Sequence, residues 1–426
     1  MMNDHAFQMS ASNVRVGIGC TTEVGMDLQE LGIKRALIVM DPRLKDLSPG
    51  QTVTDSLRRA AIDFDVFDGV QVEPTDASFQ AAIEFASAGR FDGYVAVGGG
   101  STIDTAKAAN LYATYPGEFL QYVNAPIGLG QPVPGPLRPL VAIPTTAGTG
   151  SEATGVAIFD ELSRKAKTGI AHRYLKPTLG IVDANNTATL PSAVAASAGL
   201  DVLSHALESF TALPFDQRPL PARPIERPAY QGCNPISDIW AIRALEIVAT
   251  YLIRAVDDPQ DVEARSQMLL AATMAGIGFG NAGVHLPHGM SYPVAGMVRA
   301  YRPHGYDVDH PLVPHGTSVI IHTPAVVRFT ASASPDRHLR VAEALGQDSR
   351  DIDPRQAGEF LAETVIGFIR RLGLPNGLSA LGYNNDDLPN LVAGTLPQHR
   401  VTKLSPRPVD AEVLKQLFQD SFRLWE

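Results

Sequence analysis

Seven of the chain's eleven histidines fall between residues 205 and 322, a density that invites a metal reading. The first of them lies four residues after an aspartate in GLDVLSHALESF (199–210), a stretch with strong helical spacing. Four residues is close to one helical turn, so Asp201 and His205 share a helix face and can grip one cation. A plain Asp–His hydrogen bond explains the same spacing. Further on, NAGVHLPHGMSYPVAG (281–296) supplies His285 and His288, and RPHGYDVDHPLVPHG (302–316) supplies His304, His310 and His315. One carboxylate and three imidazoles suit Fe2+ or Zn2+ and leave a coordination position for a substrate oxygen. Any of the last three histidines can complete such a set.

A second candidate site lies upstream. YVAVGGGSTIDTAKAAN (94–110) reads as strand, glycines, then helix. Glycines let the backbone approach an anion, and the helix that follows offers unpaired N–H groups at its positive end. The pattern departs from G-x-G-x-x-G, and glycines at such a turn can serve the turn alone. Asp41 strengthens the nucleotide reading, because it ends the strand ALIVMD, where a carboxylate can bind an adenosine ribose and repel a 2′-phosphate. That favours NAD over NADP. IPTTAGTGSEAT (143–154) is a second strand-exit loop, rich in Thr and Gly, suited to cover a pyrophosphate or nicotinamide, or simply a polar loop.

These residues need elements to hold them. Short β-branched runs at 36–40, 63–70, 94–97 and 139–146 alternate with helical stretches at 53–61, 77–89 and 101–113. Such alternation predicts a parallel sheet covered on both faces. After Asp183 the chain becomes long amphipathic or wholly apolar helices with hardly a strand between them. We therefore expect an α/β dinucleotide-binding domain over 1–187 and an all-helical metal and substrate domain over 188–426. One segment, 214–235, carries six prolines and three arginines and cannot be regular helix or central strand.

The net charge of −10 argues against nucleic acid, which needs clustered Lys and Arg. It also offers no global attraction to an acidic substrate, so a carboxylate must be caught by local arginines. Two cysteines make no disulfide framework and fit a reducing compartment. No apolar run approaches the roughly 18 residues of a membrane span. The N-terminal stretch MMNDHAFQMS carries no targeting pattern. The expectation is a cytoplasmic protein, a processed organellar form being the alternative.

Taken together, GGGSTIDTAK (98–107), IPTTAGTGSE (143–152), IVDANNTATLP (181–191), GLDVLSHALE (199–208), HGMSYP (288–293) and PHGTSVIIHTPAVVRF (314–329) resemble the iron-containing (group III) alcohol dehydrogenase family. The resemblance implies a dinucleotide-binding α/β domain followed by an all-helical one, the fold shared with dehydroquinate synthase. Within the family, VGMDLQELG, RPAYQGCNPISDIWAI, VDHPLVPHG and GTLPQHRVTKLSPRP resemble a subgroup that oxidises 4-hydroxybutyrate to succinic semialdehyde while reducing 2-oxoglutarate. The alternatives are a conventional NAD-dependent alcohol dehydrogenase of this family or a 4-hydroxybutyrate dehydrogenase. A lyase of the dehydroquinate synthase kind would need a basic cluster for a substrate phosphate, and no such cluster is apparent.

Carried over by motif, the family's metal ligands fall on Asp201, His205, His288 and His315. The last is chosen over His304 because PHGTSVIIHTP continues into an apolar helix and a proline, whereas PHGYDVD does not; 294–313 then contains an extra loop. Many relatives have a histidine four residues after the third ligand, thought to relay the proton. This chain has Tyr292 there, and a tyrosine hydroxyl, with an ordinary pKa of about 10, is a poorer base at neutral pH. Tyr292 and His288 are the expected catalytic residues. Gly98, Gly99, Gly100, Ser101 and Asp104 are expected around the NAD pyrophosphate, with Thr145, Thr146 and Thr149 over the cofactor and Lys107 and Lys167 as further contacts. Arg227, Arg299 and Arg302 are the candidates for binding the substrate carboxylate. The chain is expected to form a homo-oligomer, a dimer.

Overall fold

The computed structural model describes residues 2–164 and 166–426, which form two compact units. One spans Ser10–Leu190 and the other Pro191–Glu426 together with Met1–Met9.

The first unit is built on a six-stranded sheet, all of it parallel. Its strands are β1 (Val14–Val16), β2 (Arg35–Met40), β3 (Asp63–Phe67), β4 (Gly93–Gly98), β5 (Leu140–Pro144) and β8 (Leu179–Val182). They lie in the order β3-β2-β4-β5-β8-β1. An antiparallel hairpin, β6 (Val156–Glu161) with β7 (Ala166–Ala171), stands outside that sheet. Strand β2 shows why both faces must be covered. Ala36, Ile38 and Met40 enter a core with Val24, Leu28, Val53 and Leu57, while Leu37 and Val39 enter another with Ala82, Ala86, Ile103 and Ala106. The period of two sends alternate side chains to opposite faces. Helices α1 (Val24–Glu30) and α2 (Ser48–Arg59) thus cover one face, and α3 (Asp76–Gly89) and α4 (Gly100–Thr114) the other. Strand order reverses at β2 and β4: the chain leaves β2 for β3 on one side, then returns to β4 and continues to β5 on the other. Ligands of open α/β sheets bind outside the carboxyl ends of the strands at such a point. Asp41 follows β2 there, and the glycines end β4.

The second unit is helical. It comprises α5 (Ser192–Thr211), α6 (Pro235–Asp257), α7 (Val262–Ala282), α8 (Leu286–Gly296), α9 (His315–Ile320), α10 (Thr323–Thr330), α11 (Pro335–Ala344), α12 (Ala357–Arg371), α13 (Leu388–Thr395), α14 (His399–Thr402) and α15 (Ala411–Asp420). Among the described residues it contains no named strand. Helix α5 is buried on nearly every side from Ala195 to Thr211, which makes it the central helix of the unit, packed against α6, α7 and α9. The proline-rich segment 214–234 runs in short 3-10 turns pinned by two isolated bridges, Asn3 to Pro219 and Pro214 to Cys233. Asn234 then caps α6, its Oδ1 accepting from the N–H groups of Ile236 and Ser237 at 3.2 and 3.0 Å. Among the described residues no single helix is long and apolar enough to cross a membrane.

Candidate metal centre and dinucleotide loop

Helix α5 brings three polar side chains into the core at positions i, i+4 and i+7: Asp201, His205 and Glu208, all buried. Helix α8 adds His288, and His315 opens α9. Ligand atoms of Asp201, His288 and His315 lie within 4.8 Å of one another. Asp201 Oδ1 is 3.6 Å from His288 Nε2 and 3.8 Å from His315 Nε2. His205 borders this group without belonging to the tightest cluster. Its Nδ1 is 3.7 Å from Asp201 Oδ2, and its ring stacks between Phe279 (centroids 4.0 Å) and His288 (4.6 Å). These spacings are too long for hydrogen bonds, yet Asp201 Oδ1, His205 Nδ1 and His288 Nε2 are buried with no hydrogen-bond partner. Buried polar atoms are normally paired. Three orphans aimed at one small volume, from a donor set of carboxylate and imidazole, fit a divalent cation. His315, its side chain 24% exposed, is the ligand nearest solvent.

Electrostatics point the same way. Burial alone would raise the Asp201 carboxyl, but His205, His315 and His288 hold it well below the usual carboxylate range. Burial pushes His205 down to about 3, against the pull of Asp201, so its ring is neutral and able to coordinate. For His288, burial is outweighed by Glu208 and Asp201, which raise it; a cation must displace that proton, so binding releases it.

Glu208 was not anticipated from the sequence. Its Oε1 accepts from His288 Nδ1 at 2.6 Å, and its Oε2 accepts the backbone N–H of His285 at 2.7 Å and more distantly that of His288 at 3.4 Å. A carboxylate on Nδ1 fixes the ring's tautomer and presents Nε2 as the donor lone pair. The signal was there: Glu208 lies on the same helix face as Asp201 and His205. His285 faces elsewhere, its Nε2 within 3.0 Å of Thr211 Oγ1. His304 and His310 are exposed, the latter beside Asp309 at 3.1 Å, on the segment between α8 and α9.

Tyr292 is buried on α8, one turn beyond His288, and its hydroxyl accepts from Arg400 Nη2 at 2.8 Å. The arginines named from sequence are placed otherwise. Arg227 forks onto Asp4 (2.8 and 2.9 Å) and Arg299 onto Asp387 (2.6 and 2.9 Å), so both charges already have partners. Arg302 is exposed.

In the first unit the glycine and threonine loops pack together. A Cβ on Gly99 would come within 3.1 Å of Thr146 Oγ1, and one on Gly100 within 2.5 Å of Thr149 Cγ2. Helix α4 starts at Gly100 with no side chain capping it, which leaves its first turn open to an anion. Asp41 accepts from the Arg43 N–H at 2.9 Å at the end of β2. Ser101 Oγ accepts the Glu73 N–H at 3.3 Å, and Thr145 donates its N–H to the Gly98 carbonyl at 3.1 Å. Two of the expected cofactor contacts, Asp104 and Lys167, also have partners within the fold. Asp104 accepts from Ser151 Oγ (2.5 Å) and the Ile158 N–H (2.9 Å) and lies 3.5 Å from Lys107, tying α4 to β6. Lys167 is buried between Glu73 (2.7 Å) and Asp160 (3.0 Å).

Known proteins resemble the chain over nearly its whole length. The model of the iron-containing alcohol dehydrogenase family matches residues 11–184, and that of the family's C-terminal part matches 225–422. A hydroxyacid-oxoacid transhydrogenase, mitochondrial, of Rattus norvegicus is 59% identical over 424 residues, covering 99% of this chain and 91% of its own. The crystal structure of a 1,3-propanediol oxidoreductase superposes with a TM-score of 0.85 at 27% identity, over 98% of this chain and all of that one. A sulfoacetaldehyde reductase from Bifidobacterium kashiwanohense, solved in complex with NAD+, shares the fold with a TM-score of 0.79 at 24% identity, covering 98% of this chain and 98% of its own.

Proposed function

The chain belongs to the iron-containing alcohol dehydrogenase family and is an oxidoreductase, and we propose that it moves hydride between a hydroxyacid such as 4-hydroxybutyrate and an oxoacid such as 2-oxoglutarate. The observation that carries the reading is the cluster of buried, unpartnered ligand atoms on Asp201, His205 and His288, with His315 beside them. Similarity over 99% of the chain, at 59% identity, to a protein named for transhydrogenation supports the choice of substrates. The relatives' mitochondrial naming favours the organellar reading over the cytoplasmic one.

Asp201, His205, His288 and His315 would hold the cation, Fe2+ before Zn2+. The loop of Gly98–Ser101, Thr145, Thr146 and Thr149, with Asp41, would hold NAD. When bound, the cation supplies Lewis-acid polarisation of the reacting carbon–oxygen bond, and the nicotinamide supplies or accepts the hydride. The rest falls to the protein. Glu208 keeps the His288 ring in one orientation and tautomer. Asp201 brings the negative charge that makes a cation favourable in a buried site. Tyr292 Oη already accepts a hydrogen bond from Arg400, so its own hydrogen is directed away from the guanidinium and is available to a substrate oxygen.

Purified protein without added NAD should convert 4-hydroxybutyrate and 2-oxoglutarate to succinic semialdehyde and 2-hydroxyglutarate. Turnover that strictly requires stoichiometric free NAD would replace this reading with an ordinary NAD-dependent dehydrogenase.

A further inference from the structure

Three segments that are far apart in sequence meet at one guanidinium. Arg400, on α14, donates from Nη2 to the Tyr292 hydroxyl at 2.8 Å and lies over the Tyr230 ring, 4.8 Å from its centroid. Tyr292 belongs to HGMSYP, Tyr230 to the proline-rich RPAYQGCNP stretch, and Arg400 to GTLPQHRVTKLSPRP. All of these partners are neutral. The Arg400 Nη1 is buried and has no hydrogen-bond partner, and among the described residues no carboxylate pairs with this side chain. A cation held this way is costly unless an anion completes it.

Two independent connections place this guanidinium next to the metal centre. Tyr292 follows His288 by one turn of α8, a rise of about 6 Å. Tyr230 packs edge-on against Phe279 (centroids 6.4 Å), whose other neighbour is the His205 ring at 4.0 Å. A short acid with its carbinol or carbonyl oxygen at the ligand cluster therefore has Arg400 within reach of its carboxylate.

We propose that Arg400 recognises the substrate carboxylate, with Tyr230 and Tyr292 fixing the plane of its fork so that Nη1 is presented to the acid. The proposal rests on the hydroxyacid–oxoacid reading. It makes Arg400 a specificity-determining residue that separates acids from neutral alcohols, and it gives the charge to an arginine other than Arg227, Arg299 and Arg302. Arginine suits the task, because its planar fork matches a carboxylate as a lysine cannot.

The test compares wild type, Arg400→Gln and Arg400→Lys as holoenzymes of verified metal content and melting temperature. The ratio of kcat/KM for 4-hydroxybutyrate to that for butane-1,4-diol should fall at least roughly 30-fold in Arg400→Gln, the scale expected when a buried charge pair loses one partner. Arg400→Lys should fall between the two. Calorimetric titration with succinate, an unreactive dicarboxylate, should show binding to wild type that weakens by a similar factor in Arg400→Gln. Equal losses on acid and diol, or succinate binding unchanged or absent in wild type, would overturn the proposal. If wild type turns over neither 4-hydroxybutyrate nor 2-oxoglutarate, the reaction reading fails, and the succinate titration alone then decides for or against Arg400.

Discussion

Replacing Glu208 by Gln removes one oxygen's charge and almost no volume, so any effect reports on hydrogen bonding rather than packing. In the native chain Glu208 accepts three times and donates never: from His288 Nδ1 at 2.6 Å, from the His285 N–H at 2.7 Å and from the His288 N–H at 3.4 Å. A glutamine amide has one acceptor oxygen and one donor NH2. If its oxygen keeps His288 Nδ1, the NH2 confronts two backbone N–H donors. If the oxygen takes the backbone, the NH2 donates to Nδ1, and the proton moves to Nε2, the atom the cation needs. Either arrangement costs coordination. Loss of a carboxylate behind a ligating histidine typically weakens metal binding by about 10- to 100-fold. That corresponds to about 1.4–2.8 kcal/mol at room temperature. The assay is competition against a chelator of known affinity, with metal content read by mass spectrometry. Glu208→Gln should weaken retention by that factor, and His288→Ala should weaken it further. If Glu208→Gln retains metal within twofold of wild type while His288→Ala loses it, Glu208 is a packing residue and the tautomer argument is wrong.

Exchange of His315 for Ala should abolish metal retention and turnover, whereas His304→Ala should leave metal content near wild type; the reverse pattern, measured on the same preparations, would move the fourth ligand to the exposed segment before α9. His322 gives a pH prediction. It is fully buried, neither ring nitrogen has a hydrogen-bond partner, and burial pushes it down to about 3. Unfolded, a histidine titrates near ~6.5, so between those values the unfolded chain binds the extra proton. The stability this neutral ring permits is thus present above about pH 6.5 and is lost as pH falls toward about 3, by up to about 1.4 kcal/mol per unit. Urea unfolding at pH 7 and 5.5 should show a smaller loss for His322→Leu than for wild type; equal losses would assign the acid sensitivity to other groups.

The parts of the molecule that were legible in the sequence are those where burial leaves a repeating mark. Strands β2, β4 and β5 are buried on both faces, so each reads as an apolar run, and all three were anticipated. Strand β1 has three residues, of which Val16 is exposed, and offers no such run; β6 does carry a short one, Val156–Phe159, but polar residues follow it at once and it is not among the expected strands. Asp201 and His205 were visible because helical spacing alone puts them side by side. Glu208 shares that face, but a glutamate in a helix usually marks the solvent side, and only the packing of α5 in the middle of its unit reverses that expectation.

Arginines resist this kind of reading for a different reason. What separates Arg400 from Arg227 and Arg299 is the absence of a counter-ion, and a counter-ion is a tertiary fact. Arg227 finds Asp4 more than two hundred residues away, and Arg299 finds Asp387 across 88. Before those pairs are known, the choice falls on arginines near the histidine-rich stretches. Once the pairs are known, the logic inverts: a residue already neutralised within the fold has little left for a ligand, while a guanidinium lying over the Tyr230 ring and donating to the Tyr292 hydroxyl, with no carboxylate beside it, has a charge that only something from outside the chain can answer. The same inversion holds at the metal centre. There, the atoms without partners, rather than the residue types, show which side chains are arranged for a cation.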